Sequence, residues 1–262
     1  MSQSKNRKQQ FLSANPVCCF CGGVSSAQEP DHVPSRAFFT NRQWPEGYEF
    51  PACVDCNRAS RHDEQVVAML SRLYPESSNP ADTRAMEKLM EAVSRNYPEV
   101  IEELLPTLRQ KRNAAKKYKL ELQPGQTHAD LPLLSVSGPI VNSAIRSFSR
   151  KLFCVLYYKH AGQILKRSGG IALLWFSNLQ IEEDNIPREL ADVLSSFPKL
   201  ERSRINLDDQ FFYRWAIANT KEIAVFLTFF RRSFAILGYV HQHAERFELP
   251  PGFTIIRPFQ SV

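Results

Sequence analysis

The first two thirds of the chain place apolar residues at helical spacing. They recur every three or four positions in three stretches, residues 60–75, 80–118 and 140–165, and this spacing predicts amphipathic helices. Pro98 and Pro106 are expected to break the middle stretch into pieces, because proline removes a helical hydrogen bond. At the start of the first stretch, Ser60 followed by Asp63 fits a capping box.

The last third of the chain instead has short apolar runs that are typical of strands. Ile171–Phe176 predicts a buried strand, and "QFFYRWAIA", "EIAVFLTFF" and "SFAILGYV" predict three more. Arg231–Arg232 fits the turn between the last two, and a short helix is expected over Pro187–Ser196. We therefore expect an α+β fold with a helical middle and a mixed C-terminal part that contains antiparallel strands.

Residues 16–60 follow neither pattern and are rich in Cys, Pro and turn residues. They contain two short hooks, Cys18-x2-Cys21 and Cys53-x2-Cys56, which is the usual way to place four thiolates around a zinc ion. Four sulfur ligands complete a tetrahedral shell, so the predicted zinc is structural rather than catalytic. Cys19 is an alternative ligand to Cys18, although Cys18 has the better spacing.

These patterns divide the chain into four parts. They are a disordered tail over 1–15, a metal-organised unit over 16–75, a helical segment over 76–125 and an α+β domain of unknown role over 135–262. The helical segment ends in "RQKRNAAKKYK", which is either a solvated helix face or a patch that contacts phosphates.

Net charge and hydropathy limit the classes of partner that we expect for this protein. The formal charge of +6 and the pI near 9.0 favour an anionic partner, and nucleic acid is the usual one. No apolar run approaches the roughly 20 residues of a membrane span, and no long apolar stretch follows the basic N-terminus, so we expect no membrane partner and no secretory signal. The expected setting is the reducing cytoplasm, where cysteines bind metals more often than they form disulfides. The oligomeric state is left open.

An acid, a histidine and an amide accompany the two cysteine hooks. Asp31 and His32 lie in the loop that the zinc would close, and Asn57 follows the last cysteine. Oxygen and nitrogen ligands at this place suit a hard divalent cation and leave one histidine as a base. Because adjacent strand residues point to opposite faces, Asp31 and His32 can serve one site only if the strand ends or twists there, or if the metal and the attacked phosphate lie on either side of it.

Together, these motifs resemble the HNH endonuclease superfamily, in the variety whose ββα-metal fold is braced by a zinc ion on four cysteines. The stretches "EPDHVPSRAFF" and "FPACVDCN", within about residues 16–66, carry the resemblance. More loosely, the whole chain is similar to uncharacterised bacterial HNH proteins of similar length. The resemblance implies an N-terminal HNH module and the hydrolysis of phosphodiester bonds in DNA, with RNA as the open alternative. Such enzymes often serve in defence or travel with mobile elements.

The resemblance also implies roles for individual residues. His32 matches the general base that activates water, while Asp31 and Asn57 match ligands of a catalytic Mg²⁺ or Mn²⁺ ion. The last ligand is open among His62, Asp63 and Glu64, and we prefer His62.

One position departs from the family, because Tyr48 stands where its middle asparagine is expected. Asn41 is the nearest asparagine upstream. The base would then be oriented by a backbone carbonyl or by another side chain.

Seven basic residues are the candidate nucleic-acid contacts: Arg36, Arg58, Arg61, Lys111, Arg112, Lys116 and Lys117. The alternative hypothesis is a zinc-knuckle module that binds nucleic acid or a protein and cleaves nothing. It predicts salt-sensitive binding and no second metal site.

Overall fold

The structure, a computed structural model, describes residues 3–74, 77–183, 186, 190, 193–248 and 252–259. The prediction of an α+β fold with antiparallel sheets is confirmed. The helix predicted over Pro187–Ser196 lies largely outside the described residues. None of the helices in the described part combines the length and the apolar content that a membrane crossing requires.

The N-terminal part folds as a strand hairpin followed by helices. Strands β1 (Glu29–His32) and β2 (Glu49–Ala52) are antiparallel and place His32 opposite Glu49. Helices α2 (Val54–Ala59) and α3 (Arg61–Leu70) follow, after the helix α1 (Gln3–Ala14) that precedes the hairpin.

Helix α1 corrects the expectation of a disordered tail over 1–15. Its residues are mostly polar and good helix formers, such as Gln, Lys and Ala. Its C-terminal end is docked: Phe11 and Leu12 are half-buried, and the Tyr158 hydroxyl donates a hydrogen bond to Asn15, just after the helix. Docking of one end onto the core, which composition does not reveal, therefore orders this helix.

The middle of the chain breaks at the predicted prolines. It forms α4 (Pro80–Asn96), α5 (Pro98–Leu104) and α6 (Leu108–Lys117). Pro98 is the first residue of α5, a position where its missing N–H costs nothing. Thr107 and Gln110 form a reciprocal capping box at the start of α6.

Helix α7 (Pro139–Ala161) is the central helix and is 23 residues long. It ends at Gly162, whose φ of 67° is the left-handed conformation that closes many helices. Helices α3 and α5 pack against it, and so do three strands of the large sheet.

That sheet contains five antiparallel strands in the order β6-β7-β8-β3-β9. They are β3 (Gly170–Ser177), β6 (Phe211–Ile217), β7 (Ile223–Phe230), β8 (Phe234–His241) and β9 (Thr254–Ile256). The chain turns between β7 and β8 at Arg231, as predicted, with a left-handed φ of 51°. A short helix α8 (Asn178–Glu182) follows β3, and β4 (Glu201–Arg202) pairs with β5 (Ile205–Asn206) in a separate small hairpin.

The predicted units 16–75 and 135–262 share one hydrophobic core. Phe38 of the first unit stacks on Phe148 of α7 with ring centroids 5.0 Å apart, and lies 5.4 Å from the ring of Phe230 in β7. The N-terminal unit is thus stabilised by burial against α7 and the sheet, as its own short elements offer little core.

Candidate functional site

Four buried cysteines form one cluster at the base of the hairpin. The Sγ atoms of Cys18, Cys21, Cys53 and Cys56 all lie within 4.8 Å of one another. Gly22 permits the tight loop after the first pair, because its φ is 72° and an added Cβ would lie 2.7 Å from a side-chain carbon of Arg167. The cluster could hold a zinc ion, which would tie the loop before β1 to helix α2.

The thiols of this cluster differ in their pKa values. A hydrogen bond from Cys56 lowers the pKa of Cys18 to about 5, and the same contact raises the pKa of Cys56. Cys19, the alternative ligand, lies outside the cluster, and burial raises the pKa of its thiol. Zinc binds thiolates, so an ion here would displace the remaining protons of the four cysteines.

Asp31 points from β1 into the protein, where it meets a lysine. The Nζ atom of Lys151, on α7, lies 2.5 Å from Asp31 Oδ2 and 2.5 Å from Glu64 Oε1. The Ser60 hydroxyl donates a further hydrogen bond of 2.7 Å to Glu64. Ser60 therefore contacts Glu64 rather than forming the predicted capping box with Asp63.

We call Asp31, Glu64 and Lys151 the carboxylate–lysine cluster. Burial and charge have opposite effects on the pKa values of its members. Burial raises the pKa of Asp31 to about 6, with Lys151 opposing and Glu64 adding to the shift. Burial also acts against the charge of Lys151, whose side chain is 1% exposed, but the two carboxylates outweigh it and raise its pKa. The lysine is therefore an ammonium ion at neutral pH.

Asn57 and His62 have hydrogen-bond partners other than Asp31. The Asn57 amide donates a hydrogen bond of 2.7 Å to Glu29, and His62 is exposed on α3 with its ring nitrogen against the Tyr97 hydroxyl. In the described part of the chain, no group of three or more His, Cys, Asp and Glu ligand atoms other than the four cysteines lies within 4.8 Å. Asp31, Asn57 and His62 thus each have a different partner, and a shared ligand set of the three stays a prediction.

The catalytic Mg²⁺ or Mn²⁺ ion that the resemblance implies does not fit this arrangement. Its predicted ligand Asp31 and the alternative ligand Glu64 both hold the Lys151 ammonium. A divalent ion at the same oxygens would lie a few ångströms from a fixed positive charge, and the repulsion would be strong in a buried site. The other alternative, Asp63, hydrogen-bonds the Ser147 side chain.

His32 lies on the opposite face of β1. An Arg36 nitrogen lies 2.9 Å from its Nε2 atom, and Glu49 Oε1 across the hairpin lies 3.3 Å away. A guanidinium group only donates hydrogen bonds, so Nε2 is the acceptor and the neutral ring carries its proton on Nδ1. Burial and then the charge of Arg36 lower the pKa of His32 to about 4.

Arg36 and Arg202 act on this histidine and Arg42 acts on Arg36, and we call these three arginines the arginine cluster. The guanidinium carbons of Arg36 and Arg202 each lie 3.8 Å from the centroid of the Trp44 ring, which meets His32 edge-on at 4.4 Å. Burial, together with the charges of Arg42 and Arg202, lowers the pKa of Arg36. Such a concentration of like charge favours the binding of an anion.

Tyr48 takes no part in orienting His32. Its buried hydroxyl lies 2.7 Å from the hydroxyl of Tyr213. Asn41 is exposed, with a left-handed φ of 52°. The ring of His32 is instead held by Arg36, which donates to its Nε2 atom, while Glu49 across the hairpin lies beside the same atom.

The remaining predicted nucleic-acid contacts are five exposed side chains and one that holds backbone carbonyls. Arg58, Arg61, Arg112, Lys116 and Lys117 are exposed. Lys111 instead donates hydrogen bonds of 2.6 and 2.8 Å to the backbone carbonyls of Ala129 and Leu131, so its charge holds the loop after α6.

Sequence reasoning missed Lys151 and Arg202. Lys151 had a signal, because it interrupts the apolar face that Phe148, Leu152 and Val155 form on α7. A charge on such a face is buried and needs a partner. Arg202 had no such signal in the sequence, because only the folding of the small β4–β5 hairpin brings it to Trp44.

Comparison with known proteins found no matching family model, no matching curated protein and no matching solved structure. The geometry of the site therefore carries the functional argument.

Proposed function

We propose that the protein is an HNH-type endonuclease that hydrolyses phosphodiester bonds in DNA, with RNA as the alternative substrate. The observation that carries the proposal is the neutral His32 imidazole set beside the arginine cluster on a hairpin braced by four cysteines. A neutral imidazole is the form that accepts a proton, and arginines are suited to bind a phosphate.

In this proposal, the arginine cluster binds the scissile phosphate and His32 activates the attacking water. Arg36 occupies the lone pair of His32 Nε2 in the free protein, so the base becomes available when Arg36 turns to the phosphate. Substrate binding would then release the base that it requires. Arg202 and Arg42 would stabilise the charge that develops on the phosphorus-bound oxygens.

The experiment is plasmid nicking by the zinc-loaded full chain, assayed with Mg²⁺, with Mn²⁺ and without either ion. His32→Ala is expected to abolish nicking, while its zinc content and circular dichroism match the wild type. His62→Ala is the matched control, because it removes an exposed histidine that the arginines do not contact, and it should nick like the wild type. Equal nicking by the wild type and His32→Ala would refute the nuclease.

A second candidate function is nucleic-acid binding without cleavage. The observation that favours it is Lys151, which neutralises the carboxylates that a catalytic divalent cation would need. In this case the arginine cluster binds the phosphate backbone and no bond is broken.

Binding and nicking, measured on the same samples, separate the two candidates. Arg202→Ala is expected to weaken DNA binding and to flatten its dependence on salt concentration, because one phosphate contact is lost. Lys199→Ala is the matched control: it removes an exposed positive charge close in sequence that pairs with Glu201 at 2.7 Å. Salt-sensitive binding without nicking under any metal condition would favour the second candidate.

A further inference from the structure

Lys151 sits in a place that is built to hold a cation. Strand β1 supplies Asp31, helix α3 supplies Glu64, and the central helix α7 brings the ammonium group between them, 2.5 Å from an oxygen of each. Ser60 fixes the Glu64 carboxylate with a hydrogen bond. The side chains of all three charged residues are at least 89% buried, so solvent screens their interaction only weakly.

The oxygens in this cluster are the type that a divalent cation prefers. Carboxylates and a serine hydroxyl are hard ligands, typical of Mg²⁺ and Mn²⁺ sites. Two carboxylates against one ammonium leave a formal charge of −1, whereas a divalent ion in place of the ammonium would leave none. The cluster therefore has the composition of a divalent site in which a side chain provides the cation.

We propose that Lys151 is the resident cation of this site, and that a divalent ion binds between Asp31 and Glu64 only when Lys151 is removed. The inference rests on the proposed function, because it takes His32 on β1 as the base and places this cluster on the other side of that strand. Lys151 lies on the Asp31 side of β1 and so acts as a positioning residue, which holds β1, α3 and α7 together. The wild-type protein accordingly needs no divalent ion at Asp31.

The test is a titration of the zinc-loaded full chain with Mn²⁺, followed by electron paramagnetic resonance, which distinguishes free from bound ion. The wild type is expected to show no stoichiometric Mn²⁺ site. Lys151→Ala is expected to bind one Mn²⁺ ion per chain, and Lys151→Ala with Asp31→Asn to lose it again. Lys159→Ala is the matched control, because this lysine of the same helix donates to the Gly47 carbonyl and lies over the Tyr48 ring; it should bind no Mn²⁺.

Two results would overturn the proposal. One is a wild-type chain that binds one Mn²⁺ ion and loses it on Asp31→Asn. The other is a folded Lys151→Ala chain that binds none. Should Lys151→Ala not fold, Lys151→Gln replaces it, because its amide keeps a hydrogen bond to a carboxylate but carries no charge. The first result compares the wild type with Asp31→Asn and does not depend on whether Lys151→Ala folds.

Nicking assays separate this inference from the proposed function. If the wild type nicks only with Mn²⁺ or Mg²⁺, and Asp31→Asn abolishes both metal binding and nicking, the inference fails and the nuclease stands. If Lys151→Ala gains a Mn²⁺ site and neither protein nicks, the inference stands and the nuclease fails.

Discussion

The two faces of strand β1 carry neighbouring residues in opposite electrostatic surroundings. Asp31 faces inward and meets an ammonium group and a second carboxylate. His32 faces the other way and meets two arginines, Arg36 and Arg202, with one carboxylate. Side chains that sequence motifs place together are thus separated by the alternation of the strand.

The difference lies in the sign of the excess charge and in its burial. On the inner face, two carboxylates from two other elements enclose one ammonium group, and every charged group is buried. On the outer face, positive charge exceeds negative charge, and burial followed by the charge of Arg36 lowers the pKa of His32 to about 4. The inner face is therefore a structural support, whereas the outer face is poised to receive an anion.

Loss of the cysteine cluster should have the largest effect, because both faces depend on the hairpin that it braces. Cys53→Ala is expected to abolish zinc binding and to unfold the N-terminal part, since a structural zinc supplies about 10 kcal/mol or more of apparent binding free energy. Zinc content by mass spectrometry and the thermal unfolding transition measure this outcome. Cys19→Ala is the control, because this thiol is equally buried but lies outside the cluster; zinc loss in this variant would contradict the assignment.

Removal of the Lys151 ammonium group should have the second-largest effect on stability. Lys151→Met keeps the length of the side chain but leaves Asp31 and Glu64 buried without a counterion, which costs about 3–5 kcal/mol of the free energy of unfolding. Denaturant titrations measure this loss. Adding Asp31→Asn and Glu64→Gln to the same chain should recover much of the stability, because no buried charge then remains. A triple variant no more stable than Lys151→Met would show that lost packing, rather than charge, causes the effect.

On the outer face, Arg36→Gln is expected to raise the pKa of His32 from about 4 toward its ordinary value of about 6.5. The rise should be incomplete, because burial is the larger cause of the shift. Nuclear magnetic resonance titration of the ring measures it, with Arg58→Gln on the exposed side of α2 as the control. An unchanged pKa in Arg36→Gln would remove Arg36 as a cause.

The same shift predicts how acid destabilises the protein. Because the folded-state pKa of His32 lies below the unfolded value, the unfolded state binds its proton first as pH falls. The stability that neutral His32 contributes is therefore complete above about pH 6.5 and is lost as pH falls toward about 4. In denaturant titrations, His32→Gln should show a smaller loss of stability over this interval than the wild type.

Local patterns predicted most of the elements. Helical spacing indicated α3, α4 and α7, prolines marked the breaks, and the two cysteine hooks identified the cluster. Each of these signals depends on residues close together in sequence. The hairpin register also follows from local pairing, and its consequence for Asp31 and His32 was foreseeable from strand alternation alone.

The partners of Asp31 and His32 depend on contacts between distant segments. Lys151 reaches Asp31 because α7 passes behind the hairpin, and Arg202 reaches Trp44 because the β4–β5 hairpin docks on the loop before β2, where the Glu46 amide donates to the Glu201 carbonyl. Charge and spacing in one sequence do not encode such packing. The lysine on the apolar face of α7 was the one local indication of a buried ion pair.

The smallest expected effect concerns the hydrogen bond that holds Glu64 on the inner face of β1. Ser60→Ala removes the hydroxyl that donates to Glu64 and is expected to lower the free energy of unfolding by about 1 kcal/mol. Ser149→Ala on α7 is the matched control, because this serine is also fully buried but its hydroxyl has no hydrogen-bond partner in the described part of the chain. Its removal should leave stability unchanged or slightly raised, since no bond is lost. Equal losses in the two variants would mean that Ser60 contributes only its volume, and that the carboxylate–lysine cluster is held by charge alone.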